Sequence, residues 1–479
     1  MRIASLGKRA FARMALGLLK RNVLLESFLR WGEKVILNEL VVKNEHDRPV
    51  GSQQEKFVVV QNLMRSFERK LKSDSLSPAV RDWVFNTLIS GVMMNWRDRH
   101  PEAFRRRRNN EPIPNFITIS PTQKCNLACI GCYAASSNKT AATLEWDVVD
   151  RILEQKRELW GSYFTVISGG EPLLYQSQGK TILDLYEKHH DNFFLMYTNG
   201  TLIDRPMARK LASLGNVAPA ISVEGFEEET DYRRGKGVYR KILDAVEYLK
   251  EEGVIYGISF TATRKNVDRL LSDEFIDQFF GPYGASFGWM FQYMPMGRGV
   301  DFELMITPEQ RRRLWYQERH LIHEKRVCFF DFWNGGPISD GCISAGRKGG
   351  YLYIDWHGNV MPCVFVPYTV GNITTDFFDR GKNLDDILKT PFFESIREWQ
   401  KNYSYQKPAR EAKNEIVPCP IRDHHDEFHR IAEETGARPV DRTTKKSFKD
   451  PVYIEQLTGI GRKVDELTRD IWLKEYKKV

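Results

Sequence analysis

Residues 121–134 read PTQKCNLACIGCYA, with Cys125, Cys129 and Cys132 in C-x3-C-x2-C spacing. The run Phe116, Ile117, Thr118, Ile119, Ser120 enters this stretch as a strand, and a polar spacer leads out toward a helical segment. Three thiols packed this tightly cannot all be core cysteines. Thiolates hold iron–sulfur clusters, and a [4Fe–4S] cube normally takes four of them. Three local ligands leave one iron with an open position, and an open metal position is a place for chemistry rather than a structural site. Zinc is the rival, but zinc pairs usually come as two C-x2-C units, and the chain has no second one.

The 479 residues, 42% hydrophobic and 12% aromatic, are enough for more than one domain. A formal charge of +8 permits an anionic partner without demanding one. Seven cysteines do not pair evenly, and residues 14–19 are too short, without a small-residue cleavage site, for a signal peptide. Together these argue against a disulfide framework and for a reducing, cytoplasmic setting. No apolar run approaches the roughly 20 residues of a spanning helix. No basic platform interleaved with aromatics is present, so no nucleic acid is expected.

Residues 1–112 read as a helical N-terminal region. Residues 1–22 carry Arg2, Lys8, Arg9, Arg13, Lys20 and Arg21 without an acid, and their apolar positions fall near helical spacing. This basic amphipathic helix has two readings, contact with the anionic inner face of a membrane and simple packing on the enzyme. Residues 53–97 continue with helical patterning. Arg105 to Arg108 precede a proline-marked segment that reads as a linker.

Residues 113–300 alternate strands with helices. Strands are expected at 116–120, 163–168, 193–198, 217–223, 256–263 and 286–293, and helices at 144–159, 181–190, 207–214, 239–252 and 267–280. The alternation predicts a parallel sheet with helices outside. In such sheets ligands bind at the carboxyl ends of strands. The polar motifs all fall there: Gly169-Gly170-Glu171-Pro172, Tyr197-Thr198-Asn199-Gly200, Ser222-Val223-Glu224-Gly225 and Asp231-Tyr232-Arg233-Arg234-Gly235.

With its order of motifs, the chain resembles the radical S-adenosylmethionine (AdoMet) enzymes. The resemblance implies an α/β fold built on a partial (β/α)6 barrel. It implies a [4Fe–4S] cluster on Cys125, Cys129 and Cys132, with AdoMet chelating the fourth iron through its amino and carboxylate groups. An electron donor such as flavodoxin or ferredoxin would drive AdoMet cleavage to a 5′-deoxyadenosyl radical, which abstracts hydrogen from a substrate. Gly169, Gly170 and Glu171 match the motif that meets the methionine ammonium. Ser222 and Glu224 match the element that contacts the ribose, and Arg234 is assigned to the AdoMet carboxylate. Arg233 is read as an exposed neighbour. The family commonly places an aromatic residue just before the third cysteine; this chain has Gly131 there and Tyr133 just after, so the adenine contact passes to Tyr133 as an open question.

Residues 301–430 begin with a bridging helix at 308–325 and then bring Cys328, Cys342, Cys363 and Cys419. Residues 354–363 read as a hairpin delivering Cys363. Its ending Gly358-Asn359-Val360-Met361-Pro362-Cys363 resembles the SPASM and Twitch cluster-binding modules. The resemblance implies one auxiliary [4Fe–4S] cluster on Cys342, Cys363 and Cys419, with Cys328 either a fourth ligand or a buried thiol. His424, His425, Asp426 and His429 carry a spacing that can bind zinc, without further ligand context. Residues 431–479 read as a C-terminal helical tail.

The substrate is not written in the motifs. Peptide or protein modification and action on a lipid or isoprenoid chain both stand. The rival class is a non-catalytic electron-transfer or assembly protein, against which the AdoMet motifs argue, since a carrier needs no open iron.

Overall fold

The computed structural model describes residues 25–478 apart from residues 74 and 94. The basic helix read at residues 1–22 lies outside the described residues. Among the described residues, no helix is long and apolar enough to cross a membrane.

The expected strands form at their expected places: β1 (Phe116–Ile119), β2 (Phe164–Ile167), β3 (Phe193–Thr198), β4 (Val217–Ser222), β5 (Gly257–Ala262) and β6 (Gly288–Gln292). The helices α1 (Trp146–Trp160), α2 (Ile182–Lys188), α3 (Arg205–Leu214) and α4 (Val238–Glu251) carry the chain back after β1 to β4. The helix expected at 267–280 is broken in two, because Ser272 leaves helical geometry to cap Asp273–Phe280 through the Phe275 N–H. Each helix turns an apolar stripe to the sheet: Val149, Ile152 and Leu153 on α1 and Ile242, Ala245 and Val246 on α4 are buried in one continuous core. Helix α1 stops at Gly161, whose φ of 58° suits glycine, and a Cβ there would stand 2.8 Å from Trp96 Nε1.

The partial barrel does not end at its sixth strand. Two further strands from the C-terminal part, β7 (Phe329–Asp331) and β8 (Tyr351–Ile354), join parallel at opposite edges, β7 beside β6 and β8 beside β1. Two antiparallel strands, β9 (Asn359–Met361) and β10 (Gly371–Asn372), complete the order β10-β9-β8-β1-β2-β3-β4-β5-β6-β7. Parallel sheets need cover on both faces. Here the outer face is covered by the helices and the inner face is a lumen lined by aromatics, with Phe116 stacked on Tyr351 at 5.0 Å.

The N-terminal helices dock on this frame. Val50–Lys72 lies against Pro308–His323, where Asn62 Nδ2 donates to the Ile322 and Val327 carbonyls. The arginine run is not a free linker. It forms the last turn of the helix Pro101–Arg108, Arg106 pairs with Asp385 at 2.9 Å, and Arg107 lies over the Trp96 ring. Four adjacent cations suit that position, since a helix carboxyl end favours positive charge.

Candidate active site and auxiliary metal centre

The loop after β1 carries the first three cysteines, and backbone hydrogen bonds fix it to its neighbours. Gly170 N donates to Thr122 O and Glu171 N to Lys124 O, both at 2.8 Å, so the loop after β2 lies against the cysteine loop as an extra ladder. A Cβ on Gly170 would stand 2.2 Å from Lys124 O, which is why a glycine is required there. From the other side Ile130 N donates to Arg233 O and Arg298 N to Cys132 O. Cys125, Cys129 and Cys132 line one end of a cavity of about 280 Å³ at the carboxyl ends of the strands. Burial pushes the Cys125 thiol up to about 12. Metal ligation deprotonates such thiols and releases the protons.

Tyr133, Gly169, Gly170, Ser222 and Arg234 line the same cavity. The two carboxylates turn elsewhere. Glu171 is fully buried, and its oxygens accept from Thr198 Oγ1 at 2.7 Å, Asn199 N at 2.9 Å and Leu173 N at 3.2 Å. One Glu171 oxygen thus accepts from Thr198 and from the turn that follows Glu171, and the other from Asn199 at the end of β3. Glu224 is likewise fully buried and away from the cavity lining. It accepts from Arg233, from Arg234 Nε at 2.9 Å and from Thr261 N at 3.0 Å. It holds two guanidinium groups that line the cavity. Arg233, read from sequence as an exposed neighbour, is only 11% exposed and lines the cavity beside Arg234. For Arg234, burial disfavours the charge, but Glu224 and the Cys129 and Cys132 sulfurs outweigh it and its pKa rises.

Three lining residues were given no role by sequence reading, although Asn199 stood in one of the motifs quoted. Asn199 Nδ2 lies 3.8 Å from Cys125 Sγ and donates to Asn126 at 2.9 Å. Ser168 shares a hydrogen bond of 2.8 Å with Tyr133 Oη, which ties the one ring expected near adenine to the end of β2. Tyr293, just after β6, accounts for the unusual glycine. Gly131 has φ of 66°, and a Cβ there would meet the Tyr293 ring at 2.6 Å. The aromatic surface absent at position 131 is supplied from another element.

The second group sits across an aromatic wall. Cys342, Cys363 and Cys419 line a neighbouring cavity of about 110 Å³. Trp289, Phe332, Ile343 and Tyr351 face both cavities. Cys363 follows the β8–β9 hairpin, as expected, and accepts a hydrogen bond of 2.9 Å from Tyr351 Oη. Burial pushes its thiol up to about 12, and burial followed by the Asp423 charge also raises Cys419 well above the ordinary thiol range. Cys328 is not brought into this group. It immediately precedes β7, at the amino end of the sheet, and lines a different cleft with Arg69 and Lys70. Of its two readings, fourth ligand and buried thiol, the second fits its place: Cys328 is buried, and strand β7 separates it from the cavity that Asp331 and the other thiols line.

Both thiol sets suit clusters by donor chemistry. The auxiliary cavity adds an observation: Arg422, beside Cys419, has Nε and Nη1 buried without a partner. The histidine group has a different use. His424, His425 and His429 each direct a ring nitrogen to a backbone carbonyl, of Val417, Ile421 and Phe448 respectively. Among the described residues, no three His, Cys, Asp or Glu side chains converge on a single metal ion.

A parallel barrel whose lumen ends in an incomplete thiolate set, with a second set behind one wall, defines a cluster-dependent enzyme. The radical SAM superfamily profile matches residues 119–264, and SPASM, an iron–sulfur cluster-binding domain, matches residues 342–420. The chain is 34% identical over 278 residues to mycofactocin maturase MftC of Mycolicibacterium smegmatis, spanning 55% of this chain and 68% of that one. It is 24% identical to an AdoMet-dependent heme synthase of Methanosarcina barkeri, spanning 54% and 79%. It is also 24% identical to the antilisterial bacteriocin subtilosin biosynthesis protein AlbA of Bacillus subtilis, spanning 61% and 63%. The chain belongs to the radical SAM superfamily. It is an enzyme that reductively cleaves AdoMet at a [4Fe–4S] cluster, and it carries an auxiliary iron–sulfur domain.

Proposed function

We propose that Cys125, Cys129 and Cys132 hold the AdoMet-binding cluster, and that the substrate is a peptide presenting an uncharged, apolar or aromatic group to the lumen. When bound, the cluster supplies the electron that cleaves AdoMet to a carbon radical. Flavodoxin or ferredoxin is the proposed electron source. The chain's own groups bind and shield. Gly169 and Gly170 let the backbone approach the methionine end, and Arg233 and Arg234, held by Glu224, offer their forks to its carboxylate. Ser222 faces the same cavity, and Tyr133, locked by Ser168, offers a ring face.

One observation carries the substrate reading. Apart from the thiols, the only charged side chains lining the lumen cavity, among the described residues, are Arg233 and Arg234, which pair with Glu224 and, in this reading, are taken up by the AdoMet carboxylate, leaving no cation for the substrate. The rest of the wall is led by Phe164, Leu195, Tyr197, Trp289 and Phe291. An ionised substrate group placed there would lose hydration without a counter-charge. An apolar group gains from burial at roughly 25 cal/mol per Å². A dry wall also protects a reactive radical from side reactions. The names of MftC and AlbA, a maturase and a bacteriocin biosynthesis protein, favour a peptide as the bearer of that group.

The test is 5′-deoxyadenosine formation by the reconstituted enzyme with dithionite, in the presence of fractions of its own cell extract. Stimulation by a peptide fraction, abolished by prior protease digestion, is expected. Stimulation confined to a protease-resistant fraction extracted into organic solvent would overturn the peptide reading in favour of a lipid chain. Membrane contact through residues 1–22 is a separate proposal. It fails if deleting those residues leaves flotation with anionic vesicles unchanged.

A further inference from the structure

The two arginines buried beside the auxiliary cavity differ in one respect. Arg311 is fully engaged: Nε donates to Asn334 at 3.0 Å, Nη1 and Nη2 reach both oxygens of Asp423, and Nη2 donates to Ile416 O at 2.7 Å. Arg422 is equally buried, at 1% exposure, but makes no ion pair among the described residues, and its Nε and Nη1 have no acceptor. Its nearest acid in sequence, Asp423, is turned to Arg311. Asp331 is also occupied, by Gln292 Nε2 and by the Trp333 and Asn334 amides. Burial and then the Arg311 charge pull the Arg422 pKa down to about 10, so the guanidinium stays charged at neutral pH.

A buried cation with two orphan donors costs several kcal/mol and persists only where something compensates it. The Trp333 ring over which the guanidinium lies offsets part of that cost but accepts neither orphan N–H, which leaves room for a hydrogen-bond acceptor, best an anion, beside Cys419. The guanidinium carbon lies 4.8 Å from the Trp333 ring centroid, and Trp333 lines the three-thiol cavity together with Cys419 and Ile421. A [4Fe–4S] cube on three thiolates is an acceptor of that kind. Its sulfurs accept hydrogen bonds, and such bonds, with net charge, set cluster potentials.

We propose that Arg422 is the positioning residue of the auxiliary cluster, its Nε–H and Nη1–H donating to cluster or thiolate sulfur and stabilising the more negative, reduced state. The inference rests on the assignment of Cys342, Cys363 and Cys419 as ligands. Loss of the charge should make the cluster harder to reduce, while the cluster itself remains.

The experiment is an EPR-monitored redox titration of the reconstituted full chain, with iron counted per chain. The auxiliary signal is the one that AdoMet does not perturb. In Arg422→Met the auxiliary midpoint should fall by at least a tenfold change in the reduced-to-oxidised ratio, about 59 mV for one electron. Arg422→Lys, which keeps the charge and loses the fork, should fall between it and the wild type. If Arg422→Met does not fold, the midpoint of the Lys variant alone decides the matter. An unmoved midpoint in a folded variant with two clusters overturns the role of Arg422 and leaves the ligand assignment standing. Iron for a single cluster in the wild type overturns both.

Discussion

Replacing Glu224 with glutamine is the most informative single change. One carboxylate, fully buried, holds two guanidinium groups that are 11% and 10% exposed, and it also accepts from Thr261 N. The amide keeps the shape but removes the charge and turns an acceptor into a donor facing cations. Removing one partner of a buried pair costs about 3–5 kcal/mol. We therefore expect the apo chain to lose stability of that order in urea unfolding. AdoMet binding should suffer separately, because Arg233 and Arg234 lose their fixed orientation. A charge-assisted hydrogen bond is worth about 1.5–3 kcal/mol, so Kd should rise roughly ten- to hundred-fold in equilibrium dialysis with the reconstituted enzyme. Adding Arg233→Gln should restore part of the stability, by removing one uncompensated cation, without restoring AdoMet binding. A variant within about 1 kcal/mol of wild type, with unchanged AdoMet affinity, would refute the account of Glu224 as the anchor of both arginines.

Other changes separate the remaining assignments. Cys363→Ala should lower iron content toward one cluster while AdoMet binding is retained, whereas Cys328→Ser should leave the iron count at wild type; iron loss in the latter would return Cys328 to the ligand set. Gly170→Ala drives a methyl into Lys124 O, and the shift it forces on the Cys125 loop should cost about 100-fold in AdoMet cleavage, measured as 5′-deoxyadenosine. His425 is buried with its pKa lowered to about 4, chiefly by burial. The unfolded chain, with an ordinary histidine pKa near 6.5, binds more protons than the folded one between those values. Stability is therefore fully present above about pH 6.5 and falls on acidification toward pH 4, by about 3 kcal/mol for this group. His425→Gln should flatten that part of the urea-stability profile, and an unchanged slope would remove His425 as its source.

Much of this arrangement was legible in the chain. Strand and helix positions followed from the alternation, since most strands are buried along their length and each helix turns one stripe inward. The cysteine spacing stands out by itself, whereas the glycine loop and Ser222 were singled out by the resemblance of their motifs to the family's, and the fold brings all of them to one cavity. The direction of a side chain was not legible. Glu171 and Glu224 both follow strand ends, but only the fold shows that Thr198, Asn199 and Leu173 meet the first and the two arginines and Thr261 the second. Tyr293 could not be linked to Gly131 without the fold that brings residues so far apart in sequence together. Strand β7 escaped notice because three residues carry too little pattern, and the hairpin of β8 and β9 was legible but its pairing with β1 was not.

The placement of β8 bears on how the protein is made. Strand β1, with the cysteine loop at its end, lies between β2 and β8, and Tyr353 Oη on β8 donates to Ser120 Oγ across 233 positions. On the ribosome, at about 5–20 residues per second, this edge stands open for roughly ten to fifty seconds after β1 has emerged. An unpaired edge is a template for pairing with other chains. The nascent enzyme thus passes through a period in which its first thiol loop is already exposed and its sheet unfinished.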